Sequence, residues 1–126
     1  MIDSTGYAIL TDFGLVKENM GLGTKTRSLC GTAEYLPPEL LLVPRSYGIE
    51  CDWWSFGCVL YEMICGTPPF YDSDRNQMFT NIKLAELYFE EYHSPNAVDL
   101  LTKLLVKDPA KRLSDANVIM SHVFFI

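Results

Sequence analysis

The chain has 126 residues, 48% hydrophobic and 21% charged, which is one domain's worth of ordinary globular composition and enough length for a modest core. Sixteen acidic against ten basic residues leave a net charge of −6, which repels a phosphate backbone and argues against nucleic acid, while suiting basic peptides or plain solubility. No apolar run approaches the roughly 18 residues of a bilayer span, no secretory leader is evident at the first residues, and four cysteines without any Cys-x-x-Cys point to reduced thiols in a cytoplasmic setting rather than to zinc.

Residues 7–11, Tyr-Ala-Ile-Leu-Thr, read as a short strand behind a Ser-Thr-Gly turn at 4–6, so a hairpin over 1–11 is expected to deliver Asp12-Phe13-Gly14. From Leu15 to Thr32 the sequence is polar and without apolar periodicity, which predicts an irregular loop; loops this long inside compact domains are functional or disordered. Gly31-Thr32-Ala33-Glu34-Tyr35-Leu36-Pro37-Pro38-Glu39 follows, and 39–43 reads as a short helix closed by Pro44. Residues 52–65 are apolar on nearly every face, with Asp52 at the head and Gly66 past the end, which predicts a central, buried helix. Cys51, Cys58 and Cys65 recur every seven residues, which on a helix makes one stripe of small buried apolar groups. Trp53 and Trp54 read as core. Gly66-Thr67-Pro68-Pro69 breaks this helix, and 74–84 reads as a more exposed amphipathic one behind Asp72-Ser73-Asp74. Ser94-Pro95 opens a helix over 95–106 whose apolar face is Leu100, Leu101, Leu104 and Leu105, and Ser114 caps a last helix to about Met120. The class is mainly α (α+β), with a short N-terminal β-hairpin, a long loop and about five helices.

A lone Asp-Phe-Gly would mean little, because tripeptides recur by chance. Here Asp12–Leu15 is followed in order by Cys30-Gly31-Thr32, Glu34-Tyr35-Leu36, Glu39, an Asp-x-Trp-Ser-x-Gly run over Asp52–Gly57, Pro68-Pro69-Phe70 and a Lys-Asp-Pro-x-x-Arg run over Lys107–Arg112. With this ordered set the whole chain resembles the activation segment and C-terminal lobe of a serine/threonine protein kinase of the AGC group, similar to the cyclic-AMP-dependent and protein kinase B types. The resemblance implies that residues 1–126 are a partial kinase domain, with ATP and Mg2+ as cofactors of the complete enzyme. Its partners would be protein substrates bearing basic residues N-terminal to the acceptor, and an upstream activating kinase. Alignment begins just after that family's catalytic loop. The 126 residues contain no Gly-rich loop, nucleotide-clamping lysine or His-Arg-Asp, so no phosphoryl transfer is expected from this chain alone. Two other readings stay open: a non-catalytic interaction module and an incomplete reading frame without a stable fold.

Residue by residue, the resemblance makes Asp12 the magnesium-binding carboxylate, against the commoner fate of an Asp after a strand as a turn or helix cap. Phe13 would pack inward, and Gly14 would permit the turn that aims the carboxylate. Ser28 matches the activation-loop phosphosite, with Lys17 as one cation for its phosphate and Thr24 and Thr26 as weaker sites; the bland alternative is a loop serine. Thr32 matches the threonine that orients the catalytic groups toward a hydroxyl acceptor. Leu29, Ala33 and Leu36 would wall the pocket for the substrate residue after the acceptor, although Ala33 stands where the family has Pro and Pro37 where it has Ala. Glu34 and Glu62 match carboxylates that bind arginines before the acceptor, the alternative for Glu62 being an ordinary helix-surface acid. Glu39 and Arg112 match a buried ion pair with a structural role, and Asp52 an anchor for the catalytic loop, or failing that its own helix's cap. Leu10, Phe13 and the head of the 52–65 helix are expected to present apolar surface to water, with marginal folding or self-association as the result.

Overall fold

Three helices carry the core, and the ends of each are set by local chemistry. The computed structural model describes residues 1–18, 20, 25–26 and 32–126, and all structural statements refer to these. Helix α1, Glu50–Cys65, stops at Gly66, whose left-handed backbone (φ 85°) lets its N–H donate to the Glu62 carbonyl at 2.8 Å. Helix α2, Arg75–Leu84, is opened by Asp74, whose side chain accepts from the N–H groups of Asn76 (2.7 Å) and Gln77 (3.2 Å). Helix α3, Pro95–Leu104, has Pro at its first position, where a missing N–H costs nothing. A short α4, Ala116–Met120, begins at Asp115 and not at Ser114: the aspartate carboxylate reaches the N–H groups of Asn117 (2.8 Å) and Val118 (3.2 Å) together.

On α3 the buried residues Ala97, Leu100, Leu101 and Leu104 fall at the spacing of a single helical face. The three leucines meet Trp54, Cys58, Leu60 and Tyr61 of α1, with Phe70, Met78, Ile82, Leu105 and Ile119 completing the cluster. Trp54, Cys58, Ile82, Leu100, Leu101 and Leu104 are wholly shielded from solvent. The two helices approach closely because Gly57 has no side chain: a Cβ there would lie 3.0 Å from Leu104 Cβ and 3.0 Å from Leu105 Cδ2. Gly57→Ala is therefore expected to destabilise the chain by about 1–3 kcal/mol through overpacking, despite alanine's better helix propensity. Urea midpoints of the two proteins provide the check; an unchanged or raised midpoint would mean that α1 and α3 separate freely.

The expectation that 52–65 is buried all round is corrected. Phe56, Val59 and Met63 lie on the face of α1 turned from α3 and are 37%, 45% and 78% exposed, since no described element packs on them. The expected fifth helix over 39–43 is a single 3-10 turn, Pro38–Leu40: Pro44 disfavours helical backbone at Val43. The N-terminal segment pairs through one isolated antiparallel bridge, Ile2 with Ala8, rather than through two strands. Its turn is held by Asp3 Oδ1, which accepts from Thr5 N, Thr5 Oγ1 and Tyr7 N at 2.7–2.9 Å. The result is a mostly helical fold with four α-helices among the described residues. None of them is long and apolar enough to cross a membrane.

Candidate functional site

The Asp-Phe-Gly turn, Phe13–Leu15, is a short 3-10 turn entered through Asp12 in the left-handed region (φ 64°, ψ 66°). Gly14 was expected to permit the turn, but the positive φ lies on the aspartate itself, and Asp tolerates that region better than most residues. Phe13, which would pack inward in a complete kinase domain and is expected to face water in this chain, is 63% exposed, with no described element over it. The Asp12 carboxylate makes no cap bond to its own turn. It lines a cleft of about 370 Å³ together with Lys17, Thr32, Leu36, Asp52 and Ser55, among others.

The other wall of this cleft is stitched to the head of α1. Thr26 and Tyr47 exchange backbone hydrogen bonds at 2.8 and 3.1 Å, and Lys25 Nζ lies 2.8 Å from Glu50 Oε1. Burial is the largest single influence on the Glu50 carboxyl and works to raise it, but the hydrogen bond from Lys25, a backbone hydrogen bond and the charges of Lys25 and Arg112 together hold the group below its ordinary range. Lys17 Nζ donates to Thr26 Oγ1 at 2.6 Å. Leu36 joins Leu40 and Tyr47 in a second small apolar cluster beneath. Asp52 stands in the first turn of α1, which begins at Glu50; its carboxylate accepts from Cys51 Sγ at 3.6 Å and does not cap the helix.

A second cleft, about 390 Å³, opens beside the first and shares Thr32 and Tyr35 with it. Glu34, from the turn Ala33–Tyr35, and Glu62, from α1, both line it, with Pro68 and Tyr71 beyond. Two hydrogen bonds tie this turn to α1: Ser55 Oγ donates to the Tyr35 carbonyl at 3.0 Å, and Tyr35 Oη donates to Glu62 Oε2 at 2.7 Å. The bond to Glu62, then burial, pushes the Tyr35 phenol up to about 12, so it remains a donor at any physiological pH.

Glu39 and Arg112, 73 residues apart in sequence, form a two-pronged ion pair: Nη1 to Oε1 at 2.7 Å and Nη2 to Oε2 at 2.9 Å. Both are buried, at 6% and 4% exposure. The guanidinium also donates to the carbonyls of Val106 and Glu50 at 3.0 and 2.9 Å. It rests on the Trp54 ring (5.0 Å), Trp54 stacks on Phe70 (5.5 Å, 17°), and Lys107 Nζ sits 3.4 Å from the Phe70 centroid while donating to the Ile82 carbonyl at 2.7 Å. Two cations thus bracket two rings. Burial pushes the Lys107 ammonium down to about 8. Desolvation likewise pushes the Cys51 and Cys58 thiols up to about 12 and raises that of Cys65, so none of the three is a ready nucleophile.

Of the residues singled out in the sequence, the first cleft brings together Asp12, Thr32, Leu36 and Asp52, and the second Thr32, Glu34 and Glu62. Ala33 lines neither and packs against the main core. Ser28, Leu29 and Thr24 lie outside the described residues. Sequence reading gave no role to Tyr35, Tyr71 or Lys107. The first stands inside a quoted run and the last heads another, but which group each meets is decided by tertiary packing.

Comparison with known proteins follows the same outline. The protein kinase domain family matches residues 1–125. A RAC family serine/threonine-protein kinase homolog of Dictyostelium discoideum is 48% identical over 126 residues, covering 99% of this chain and 28% of that protein. A RAC-beta serine/threonine-protein kinase A of Xenopus laevis is 46% identical, covering 100% of the chain and 26% of that protein. For the human RAC-beta serine/threonine-protein kinase the identity is 45%, with 100% of the chain and 27% of that protein covered. The chain therefore spans little more than a quarter of the length of these relatives.

Proposed function

The chain belongs to the protein kinase domain family, and from that premise we propose that it is the activation segment and helical lobe of a RAC-type serine/threonine kinase acting on basic protein substrates. The observation that carries this reading is the shared position of Thr32: it lines both the cleft holding Asp12 and the cleft holding Glu34 and Glu62. A peptide whose basic residues occupy the second cleft would run toward the first with its acceptor hydroxyl near that threonine.

Bound there, a magnesium-nucleotide supplies the transferable phosphoryl group and neutralises its charge. Asp12 is suited to hold it. Its carboxylate lines the cleft with no cap bond to its own turn, and magnesium is characteristically held by one or two carboxylates with phosphates and water for the rest. Thr32 would orient the acceptor, Glu34 and Glu62 would hold guanidinium groups, and Leu36 would wall the position after the acceptor. Ser28 is the proposed switch, with Leu29 beside it. Glu39 and Arg112 would fix the end of the activation segment, and Gly14 would keep the turn after Asp12 open. A cytoplasmic protein, activated by an upstream kinase, fits this set.

The experiment has two arms. A longer polypeptide joining these residues to a nucleotide-binding lobe should label an arginine-containing serine peptide from ATP, and Asp12→Asn should lower its kcat about a thousandfold or more. The 126-residue chain alone should transfer none, because no general base or phosphate-clamping lysine is among its residues. Undiminished transfer in the Asp12→Asn protein would overturn the assignment of Asp12, and label transferred by the chain alone would show that the base lies within it.

A second reading, a peptide-binding module without catalysis, is favoured by one observation: among the described residues, the second cleft gathers Glu34, Glu62 and Tyr71 without Asp12.

A further inference from the structure

Past the end of α2 the chain runs extended without a partner strand. Ala85 leaves the helix at φ −70° and ψ 144°, and the side chains then alternate: Ala85, Leu87 and Phe89 pack on the core, whereas Glu86, Tyr88 and Glu90 are exposed. In such backbone the N–H and C=O of one residue point to the same edge, and those of its neighbours to the other. The edge of Tyr88 and Glu90 is taken. Tyr61 Oη donates to the Tyr88 carbonyl at 2.6 Å, the Glu90 N–H donates to His93 Nδ1 at 2.9 Å, and the Glu90 carbonyl accepts the His93 N–H at 3.1 Å. On the opposite edge, no described residue donates to or accepts from the backbone of Leu87 or Phe89.

We infer that the edge of Leu87 and Phe89 is a docking site, at which an extended basic segment of a partner protein adds as an antiparallel strand. None of residues 85–93 lines either cleft, so the site is separate from both. Its backbone is set before anything binds. The Ala85 N–H donates to the Asn81 carbonyl at 2.9 Å, the Phe89 ring lies 5.5 Å from that of Tyr61, and the bonds to His93 close the far end, so little ordering is left to oppose association. Leu87 and Phe89 would each exchange both backbone bonds with the added strand, and side chains at alternate positions would select it. Charge decides the occupant. Glu86 and Glu90 flank Tyr88 on the exposed face, Glu91 and Tyr92 follow, and no lysine or arginine stands between Lys83 and Lys103. The positions opposite the two acids therefore suit lysine or arginine, whose stems can lie on the Tyr88 ring. A second copy of this chain fits badly, because antiparallel pairing about Tyr88 sets Glu86 against Glu90.

The test titrates the 126-residue chain with a fluorescent Lys-Val-Lys-Val-Lys-Val peptide. Its lysines fall opposite Glu86 and Glu90, so its valines carry the bonds to Leu87 and Phe89. N-methylation of the valines should therefore weaken binding about tenfold or more, while N-methylation of the lysines is tolerated. Glu86→Gln with Glu90→Gln should weaken the unmodified peptide about three- to tenfold. Amide exchange at Leu87 and Phe89 should slow in the bound chain. Equal affinity for the two methylated peptides, unslowed exchange at Leu87 and Phe89, or affinity no greater than for a Glu-Val counterpart overturns the inference. Binding that is lost in Glu62→Gln but kept in the Glu86→Gln, Glu90→Gln protein overturns it as well and places the peptide in the second cleft. So does a dimer in sedimentation with these two amides protected in the absence of peptide, the occupant then being a second copy.

Discussion

Arg112→Met is expected to destabilise the chain by about 3–5 kcal/mol, the cost of stranding the Glu39 carboxylate in a site where it is 6% exposed. The guanidinium serves several masters. It closes the ion pair with Glu39, satisfies the carbonyls of Val106 and Glu50, and lies on Trp54. Its removal therefore releases the turn Pro38–Leu40, the head of α1 and the segment after α3 together. Glu39→Leu combined with Arg112→Met should recover part of the loss, because two apolar groups leave no buried charge, but not all of it, because the two carbonyls remain without their donor. Denaturant midpoints of the two single variants and the double variant decide the matter. A single Arg112→Met protein within about 1 kcal/mol of wild type would mean that the pair is replaceable by packing. Amide exchange should accelerate first around Leu40 and Glu50, where the released backbone lies.

Stability should also fall steeply above about pH 9. Desolvation holds the buried Cys58 thiol, and the half-buried Cys51, protonated to about 12 in the folded chain, whereas unfolded thiols ionise near 9.0. Tyr35, bonded to Glu62, and Tyr61, desolvated by burial, behave alike between 10.0 and about 12. In this window the unfolded state binds fewer protons than the folded one, so the stability present below pH 9 is lost as pH rises toward 12. Lys107 works in the opposite sense: its folded value of about 8 lies below the ordinary 10.5, so the cost of burying its charge is relieved between those values. One lysine partly offsets four acids and does not reverse them. At about 1.4 kcal/mol for each tenfold change in proton activity, Cys58 alone accounts for up to about 2–3 kcal/mol by pH 11. Cys58→Ala should be less stable at pH 7.5, from the cavity it leaves, yet show a shallower decline to pH 11. Parallel slopes for the two proteins would remove Cys58 from the account.

The helical half of the fold was legible because its signals are local. The apolar spacing of Ala97, Leu100, Leu101 and Leu104, the stop at Gly66 and the proline at 95 each dictate structure within a few residues. The errors were local conflicts as well: Asp115 outcompetes Ser114 for the same N–H groups, and Pro44 forbids the helix that Glu39 to Val43 would otherwise permit. The N-terminal twelve residues were harder. Their strand propensity is real, but a single bridge satisfies too little backbone to make a sheet, and nothing in a tripeptide says that its aspartate rather than its glycine takes the unusual backbone. The meeting of Glu39 with Arg112 has no local signature at all, and only the ordered motifs made it foreseeable. The sandwich of Lys107, Phe70, Trp54 and Arg112 had no such guide, since ring and cation contacts depend on how α1, the 66–71 turn and the 105–112 segment come together.

Asp12 places two unrelated demands on one codon. Its backbone sits at φ 64° and ψ 66°, and under the proposed function its side chain must offer a carboxylate to the first cleft, which it lines. Glycine meets the first demand without the second. Glutamate meets the second but has lost the short side chain that makes the left-handed region tolerable, and alanine fails both, at about 1–2 kcal/mol for the backbone alone. Asparagine keeps the shape and drops the charge. In the vocabulary of twenty residues aspartate is thus the single word that fits this position, and an alanine scan through it would report the grammar of the turn together with the meaning of the carboxylate.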